Sequence, residues 1–541
     1  MQRDVDDRPA STDDRPLRAV WACATGGFVL LAGLLVWLSR WHLNPDAVAY
    51  VQIARHYAGG RFGLAVNSWF GPLLSWLLVP AVRLGVEPVL FVRLMNVGLA
   101  LGFAVGAAAL TARLGGGRGR RLAYVCALLL GVTMVPWPVT PDLLLTCLLT
   151  WYFVLSLDLA SAGSSGRSLA VGLLGGLCYL AKAYALLFVV AHLVLTFAIR
   201  HVAARRRGAD GGAGRGLLAA LAGVAIAAGP WIAVISIHEG RPTLSGVNAQ
   251  SFTPRQLDPL PIEHLQRPRD GRICVWENPL ECDQPWGRWP PLLSSAGLGV
   301  RLRAIGMHSW KALGWLKGID ALGLLAVGWL GALVLSLPVR RGLGEGAATG
   351  RLWACASAAV FVGGYVLVYV EERFFWPIWA VLLALAVSVL TSLRPRQARL
   401  STARRAMLRG LSVALVLSTA YRTGSCLQRW IAPYSLRDEA GMLHGAAERL
   451  QLNAPVVANK WYQALPVCYW KQQPILGRFT AAAPDDIAEQ LAPFGRLNVL
   501  IIWDDALADR LAEHPRFSRV DVYEHPPTGH KVHLLEFAPG R

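Results

Sequence analysis

Apolar runs of about 17 to 25 residues, the length a helix needs to cross a hydrocarbon core of about 30 Å, recur along the chain and stop near Ala420. Short polar segments rich in Arg separate them. This pattern predicts a mainly α, polytopic transmembrane bundle of about eleven spans, covering residues 19–423. From residue 424 to 541 the pattern changes to β-rich bursts alternating with amphipathic helical stretches. The bursts are Pro455 to Val457, Val499 to Trp503, Arg519 to Tyr523 and Lys531 to Phe537. Helices are expected at Arg437 to Leu450, Pro484 to Leu491 and Asp505 to His514, so the tail reads as a small soluble α/β domain.

The Arg-rich segments set a direction. Arg200 to Arg215 and Arg394 to Arg409 are expected on the cytoplasmic side, because positive charge is retained there. Counting back from the second segment, Met407 to Thr423 exits, Phe374 to Leu393 enters, Leu352 to Val370 exits and Ile319 to Leu337 enters. A long outer loop then covers residues 238–318, and the tail is extracytoplasmic in the cell (inner) membrane. The run from Val20 to Leu38 is too long for a signal-peptide core and reads as a retained first span behind a disordered cytoplasmic leader, residues 1–18.

The N-terminal half has two readings. In one, Trp69 to Leu84 crosses and Ser168 to Ile199 is a single tilted span. In the other, Trp69 to Leu84 is re-entrant and the chain turns at Lys182, which puts Asp142 and Lys182 outside with the first outer loop, residues 39–68. The second reading keeps Arg118, Arg120 and Arg121 inside.

Composition agrees with a lipid-facing surface: 54% hydrophobic and 16% charged, against roughly 25% charged in a soluble domain. The net charge of +19 does not imply nucleic acid, because the Arg residues sit between apolar runs and serve topology. Nine Cys show no paired CxxC spacing, so no zinc site is signalled. Cys274 and Cys282 flank a Pro-containing outer loop where a disulfide is plausible. His525, His530 and His533 read as a turn joining two strands rather than a metal site.

The most informative stretch is Asn44-Pro45-Asp46-Ala47-Val48-Ala49-Tyr50. Asn44 suits an N-cap, Pro45 the first helical position, and Gly59-Gly60 a stop, which predicts a short amphipathic helix in the outer interface. Asp46 sits in its first turn, where an acid also complements the helix dipole. Arg55 and His56 fall later on the same helix.

Asp46-Ala47-Val48-Ala49-Tyr50 with Ala54 and Gly60, then Gly71-Pro72-Leu73-Leu74, resembles the first outer loop of C-type (GT-C) membrane glycosyltransferases. The likeness is to family 39, the protein O-mannosyltransferase and aminoarabinose transferase type. Pro141-Asp142, the stretch from Gly175-Gly176 to Lys182, and Glu372-Arg373-Phe374-Phe375-Trp376-Pro377 extend it. The resemblance implies inverting transfer of a sugar from a polyprenyl-phosphate carrier in the bilayer to a glycan, lipid or protein acceptor on the outer face, with Asp46 as general base. Lipid phosphate is a good leaving group, so one base and cations to hold the phosphate suffice. Arg373 is the candidate clamp and Lys182 the second, with Asp142, Glu372, Tyr50 and Arg55 as further substrate-binding candidates. The sequence establishes no cofactor. A divalent metal stays open, although many relatives carry a second acid where this chain has Ala47. A transporter or lipid flippase is the alternative from another class, since intramembrane charge fits it too. A structural or assembly protein acting through the tail is a third.

Overall fold

The computed structural model describes residues 15–115, 119–137, 139–161, 164–206, 212–247, 260–283, 295–318, 345–367, 369–392 and 402–540. The expected leader, apart from residues 15–18, and the expected span Ile319 to Leu337 lie outside them. Ten helices fill the first half: α1 Arg15–Leu38, α2 Pro45–Ala58, α3 Phe62–Ala65, α4 Pro72–Arg83, α5 Pro88–Gly115, α6 Arg120–Met134, α7 Asp142–Ser161, α8 Ser165–Ala181, α9 Tyr184–Arg206 and α10 Ala213–His238. Helices Ser295–Gly318, Glu345–Val366, Trp376–Ser392 and Thr402–Ile431 complete the bundle. Six of the described helices are long and apolar enough to cross a membrane. The span over Glu372–Thr391 is 89% buried and forms the centre, whereas that of α1 is 22% buried and presents Leu30 and Trp37 outward. The molecule is a multi-pass membrane protein.

Local chemistry sets the helix that matters most. Asn44 accepts the N–H of Ala47 at 3.2 Å, Pro45 stands at the first position, and Gly59 closes the end. These are the cap, opener and stop read from sequence.

The chain returns repeatedly to one end of the bundle. Arg93 of α5 donates to the carbonyl of His42, which follows α1, at 2.9 Å, and to the carbonyl of Trp137, which follows α6. Helix α4 has 12 residues, about 18 Å at 1.5 Å per residue, too short for a core of about 30 Å. Glu87, just after it, accepts from Tyr469 of the C-terminal domain at 3.3 Å, so the chain has stayed at the end from which α2 leaves. The chain also breaks at Lys182, which is extended between α8 and α9. Asp142 and Lys182 therefore share an end with Asp46. The opposite end holds the connections around Arg113, Arg120 and Arg121, with Ser388 donating to the carbonyl of Leu114 at 3.2 Å.

The tail forms a five-stranded mixed sheet: β1 Val456–Ala458, β2 Ile475–Arg478, β3 Leu497–Ile502, β4 Phe517–Glu524 and β5 Lys531–Phe537, in the order β2-β1-β3-β5-β4. β1 pairs in parallel with β2 and β3, while β5 lies antiparallel to β3 and β4. Helices Leu436–Arg449, Trp461–Lys471, Pro484–Leu491 and Asp505–Glu513 pack on it. β2 and the Trp461–Lys471 helix are additions to the elements read from sequence.

The segment that follows α10 joins this sheet. Ile475 donates to the carbonyl of Ile273 at 2.8 Å, and Gln266 to that of Leu476 at 2.8 Å, so loop backbone lines the free side of β2. Gly477 has φ 140, and a Cβ there would stand 2.4 Å from the carbonyl oxygen of His264, so only glycine permits this approach. The Cys274–Cys282 disulfide that the sequence left open does not form: both cysteines are free, with Cys274 fully buried as a small apolar side chain. His533 pairs with Asp505 at 2.7 Å, and among the described residues no group of three or more His, Cys, Asp or Glu converges as metal ligands.

Candidate active site

Four separate pieces of backbone meet where α2, α7, the Lys182 break and the Glu371–Phe375 segment come together. Asp46 is in the first turn of α2, Asp142 opens α7, Lys182 caps α8, and Arg373 lies in a 3-10 turn leading into the central Trp376–Ser392 helix.

Arg373 is the hub. Its Nη1 stands 3.1 Å from Asp46 Oδ2 and 3.5 Å from Asp142 Oδ2, and its Nε donates to Glu371 Oε2 at 2.7 Å. Among the described residues Nη2 makes no hydrogen bond. Glu371 is itself fixed by Tyr369, which donates at 2.8 Å. Asp142 also accepts Lys182 Nζ at 2.6 Å and the Thr140 hydroxyl at 2.8 Å, and its side chain is 3% exposed. Lys182 Nζ lies 3.5 Å from the centroid of the Phe374 ring, and Tyr365 stacks between Phe374 and Tyr184. A charged pair at this depth persists only when each member is matched. Thr140 thus holds Asp142 as well as preceding the helix.

Asp46 is held at both oxygens. Oδ1 accepts the indole N–H of Trp276 at 3.1 Å, while Oδ2 faces Arg373. Two fixed donors leave the carboxylate no freedom to rotate, yet its side chain remains 21% exposed, as Arg373 and Lys182 are each 23% exposed. The acid and both cations can therefore meet a ligand.

Tyr50 is buried beside the cluster. Burial, together with the charges of Asp46 and Asp142, pushes its phenol well above the usual range, so it acts as a neutral group. The structure takes two other candidates elsewhere. Arg55 lies 4.9 Å over the ring of Tyr469 in the Trp461–Lys471 helix, and Glu372 pairs with Arg422 of the Thr402–Ile431 helix. Both work at seams between elements. The residues that sequence reading missed are Trp276, Tyr365 and Tyr184, which carry no motif and reach the site only through folding. Glu371 had one signal, its place two positions before Arg373.

For a metal, the position between Asp46 and Asp142 is taken by the guanidinium of Arg373. The donor set present here fits an internal cation, not a metal ion.

No protein-family model matches this chain, and no curated protein sequence does. Solved structures do. ArnT from Cupriavidus metallidurans, solved with undecaprenyl phosphate, aligns with a TM-score of 0.54 at 16% identity over 94% of this chain and 97% of ArnT. Its apo form gives the same TM-score and identity over 95% and 98%. The apo oligosaccharyltransferase from Archaeoglobus fulgidus aligns with a TM-score of 0.50 at 12% identity, over 95% of this chain and 74% of that one. The fold is that of C-type membrane glycosyltransferases: a helical bundle with a C-terminal domain that carries a small sheet.

Proposed function

We propose that this protein transfers a sugar from a polyprenyl-phosphate carrier to an acceptor hydroxyl on the outer face of the membrane. The single observation that carries this reading is Arg373, whose Nη1 bridges Asp46 and Asp142 while Nη2 has no acceptor among the described residues. A guanidinium fixed on one side and open on the other suits a phosphate oxygen.

The chemistry balances with these groups. Asp46 accepts the proton of the acceptor hydroxyl as its oxygen attacks the anomeric carbon. The bond from that carbon to the phosphate oxygen breaks on the opposite face, which inverts the configuration. The electron pair leaves on the carrier phosphate, whose charge is met by Arg373 Nη2 and by the donors of Lys182 Nζ not engaged by Asp142. Asp142 holds both cations in place. The lipid carrier named in the ArnT structure supports this substrate class.

The placement of Arg113, Arg120 and Arg121 at the opposite end supports an outward-facing site, by the rule that retains positive charge in the cytoplasm. The C-terminal domain, which touches α2 and Glu87, then lies on the outer face as well. The test is transfer from a lipid-linked sugar by purified protein. Asp46→Asn, which keeps an acceptor for Trp276, should lower the rate by about 10² to 10⁴. Retained transfer would sink the assignment of the base.

A further inference from the structure

Asp46 receives a hydrogen bond from a residue that belongs to neither the bundle nor a motif. Trp276 comes from the outer loop, 230 positions away, and its indole N–H meets Asp46 Oδ1 at 3.1 Å. The ring is 7% exposed and lies edge-on to Trp69 at 5.9 Å and Phe70 at 6.1 Å.

The neighbouring Glu277 locks this arrangement. Its Oε1 accepts the backbone N–H of Ile273 at 2.7 Å and of Cys274 at 3.3 Å, and its Oε2 meets His56 Nε2 at 2.8 Å. Both side chains of that pair are buried, at 1% and 0% exposure. His56 lies on α2, three turns along from Asp46 on the same helix, so the loop is fastened to the helix that carries the acid. At its other side, Ile273 is bonded to β2 of the C-terminal sheet. A continuous set of contacts thus runs from the sheet edge through Ile273, Glu277 and Trp276 to Asp46.

We infer that Trp276 is a positioning residue for the Asp46 carboxylate, and that the Glu277–His56 pair and the β2 seam are the strut that puts it there. The inference rests on the proposed role of Asp46 and adds a function for the outer loop. Arg373 alone holds the carboxylate through one oxygen and restrains its last torsion by a single hydrogen bond. The indole N–H fixes the other oxygen, and the remaining lone pairs then point in one direction, toward the acceptor hydroxyl. The C-terminal domain contributes to the site through this strut without touching the reacting atoms.

The test compares Trp276→Phe and Glu277→Gln with the wild type, using purified full-length protein and a lipid-linked sugar. Phe keeps the ring packing and removes only the donor. Its kcat should fall about 10- to 100-fold, with KM for the lipid-linked sugar within about twofold and an unchanged melting temperature. Glu277→Gln should lower kcat in the same sense, by less. A Trp276→Phe enzyme with wild-type kcat overturns the inference while the proposed function stands. Loss confined to KM or to stability also overturns it, since that marks packing. Absence of transfer by the wild type would instead remove the reading on which both rest.

Discussion

Arg373 Nη1 lies 3.1 Å from Asp46 Oδ2, although the two residues are 327 positions apart in the chain. One nitrogen therefore ties α2 to the turn that opens the central helix. Arg373→Lys keeps the charge but removes the planar fork, so it cannot bridge two carboxylates and still offer a second donor pair. We expect kcat for sugar transfer to fall at least tenfold, with weaker retention of the free lipid phosphate. Steady-state kinetics with lipid-phosphate competition checks both.

Lys182→Met leaves Asp142 with Arg373 and Thr140 but without its nearest cation. Removing one partner of a fully buried pair costs about 3 to 5 kcal/mol; partial exposure of Lys182 lowers the loss to about 2 kcal/mol. Melting in detergent should drop accordingly. The double variant Lys182→Met, Asp142→Asn should recover part of the loss, since it removes the uncompensated charge.

His42 offers a pH test outside the spans. Burial, and then the charge of Arg93, hold its ring down to about 3 in the folded protein, from an ordinary value near 6.5. The folded ring stays neutral where the unfolded one takes a proton. Stability should thus be full above about pH 6.5 and fall by about 1.4 kcal/mol per unit below it. His42→Gln should flatten that slope between pH 6.5 and 5 in detergent melting curves.

Gly71→Ala probes the approach of α4 to the Lys182 break. A Cβ there would lie 2.5 Å from the carbonyl oxygen of Ala181 and 2.6 Å from that of Leu180, both rigid backbone. The expected cost is about 1 to 3 kcal/mol, with a fall in transfer rate as Lys182 shifts. Thermal melting and kinetics on the same sample separate the two effects.

Much of the architecture was legible because it rests on local signals. The cap at Asn44, the opener Pro45 and the stop at Gly59 are short-range chemistry, and the strand from Lys531 to Phe537 follows from its own pattern. β2 escaped notice because Ile475–Arg478 is four residues with a glycine inside, too short for a period of two to register. The helix Trp461–Lys471 was hidden by Pro466 in its interior. In the site, Lys182 was readable as a charge inside a long apolar stretch, Arg373 as a charge between two apolar runs and Asp46 as an acid in the first turn of an interfacial helix, whereas Arg55 was read toward the substrate and turns to Tyr469 instead. Trp276 could not be found, because nothing near it in sequence marks a tryptophan that meets a carboxylate 230 positions away.

The backbone seam along β2 also bears on solubility. An open sheet ordinarily offers two unpaired margins to other chains, each a template for unwanted association. Here the loop backbone at Gln266 and Ile273 closes the β2 margin, which leaves β4 as the exposed one. That strand carries Arg519 and Asp521 at a register shift, with charge and irregularity together discouraging a second strand from adding. Loosening the loop from β2 would consequently expose a second unpaired margin, so aggregation should accompany any variant that opens the seam.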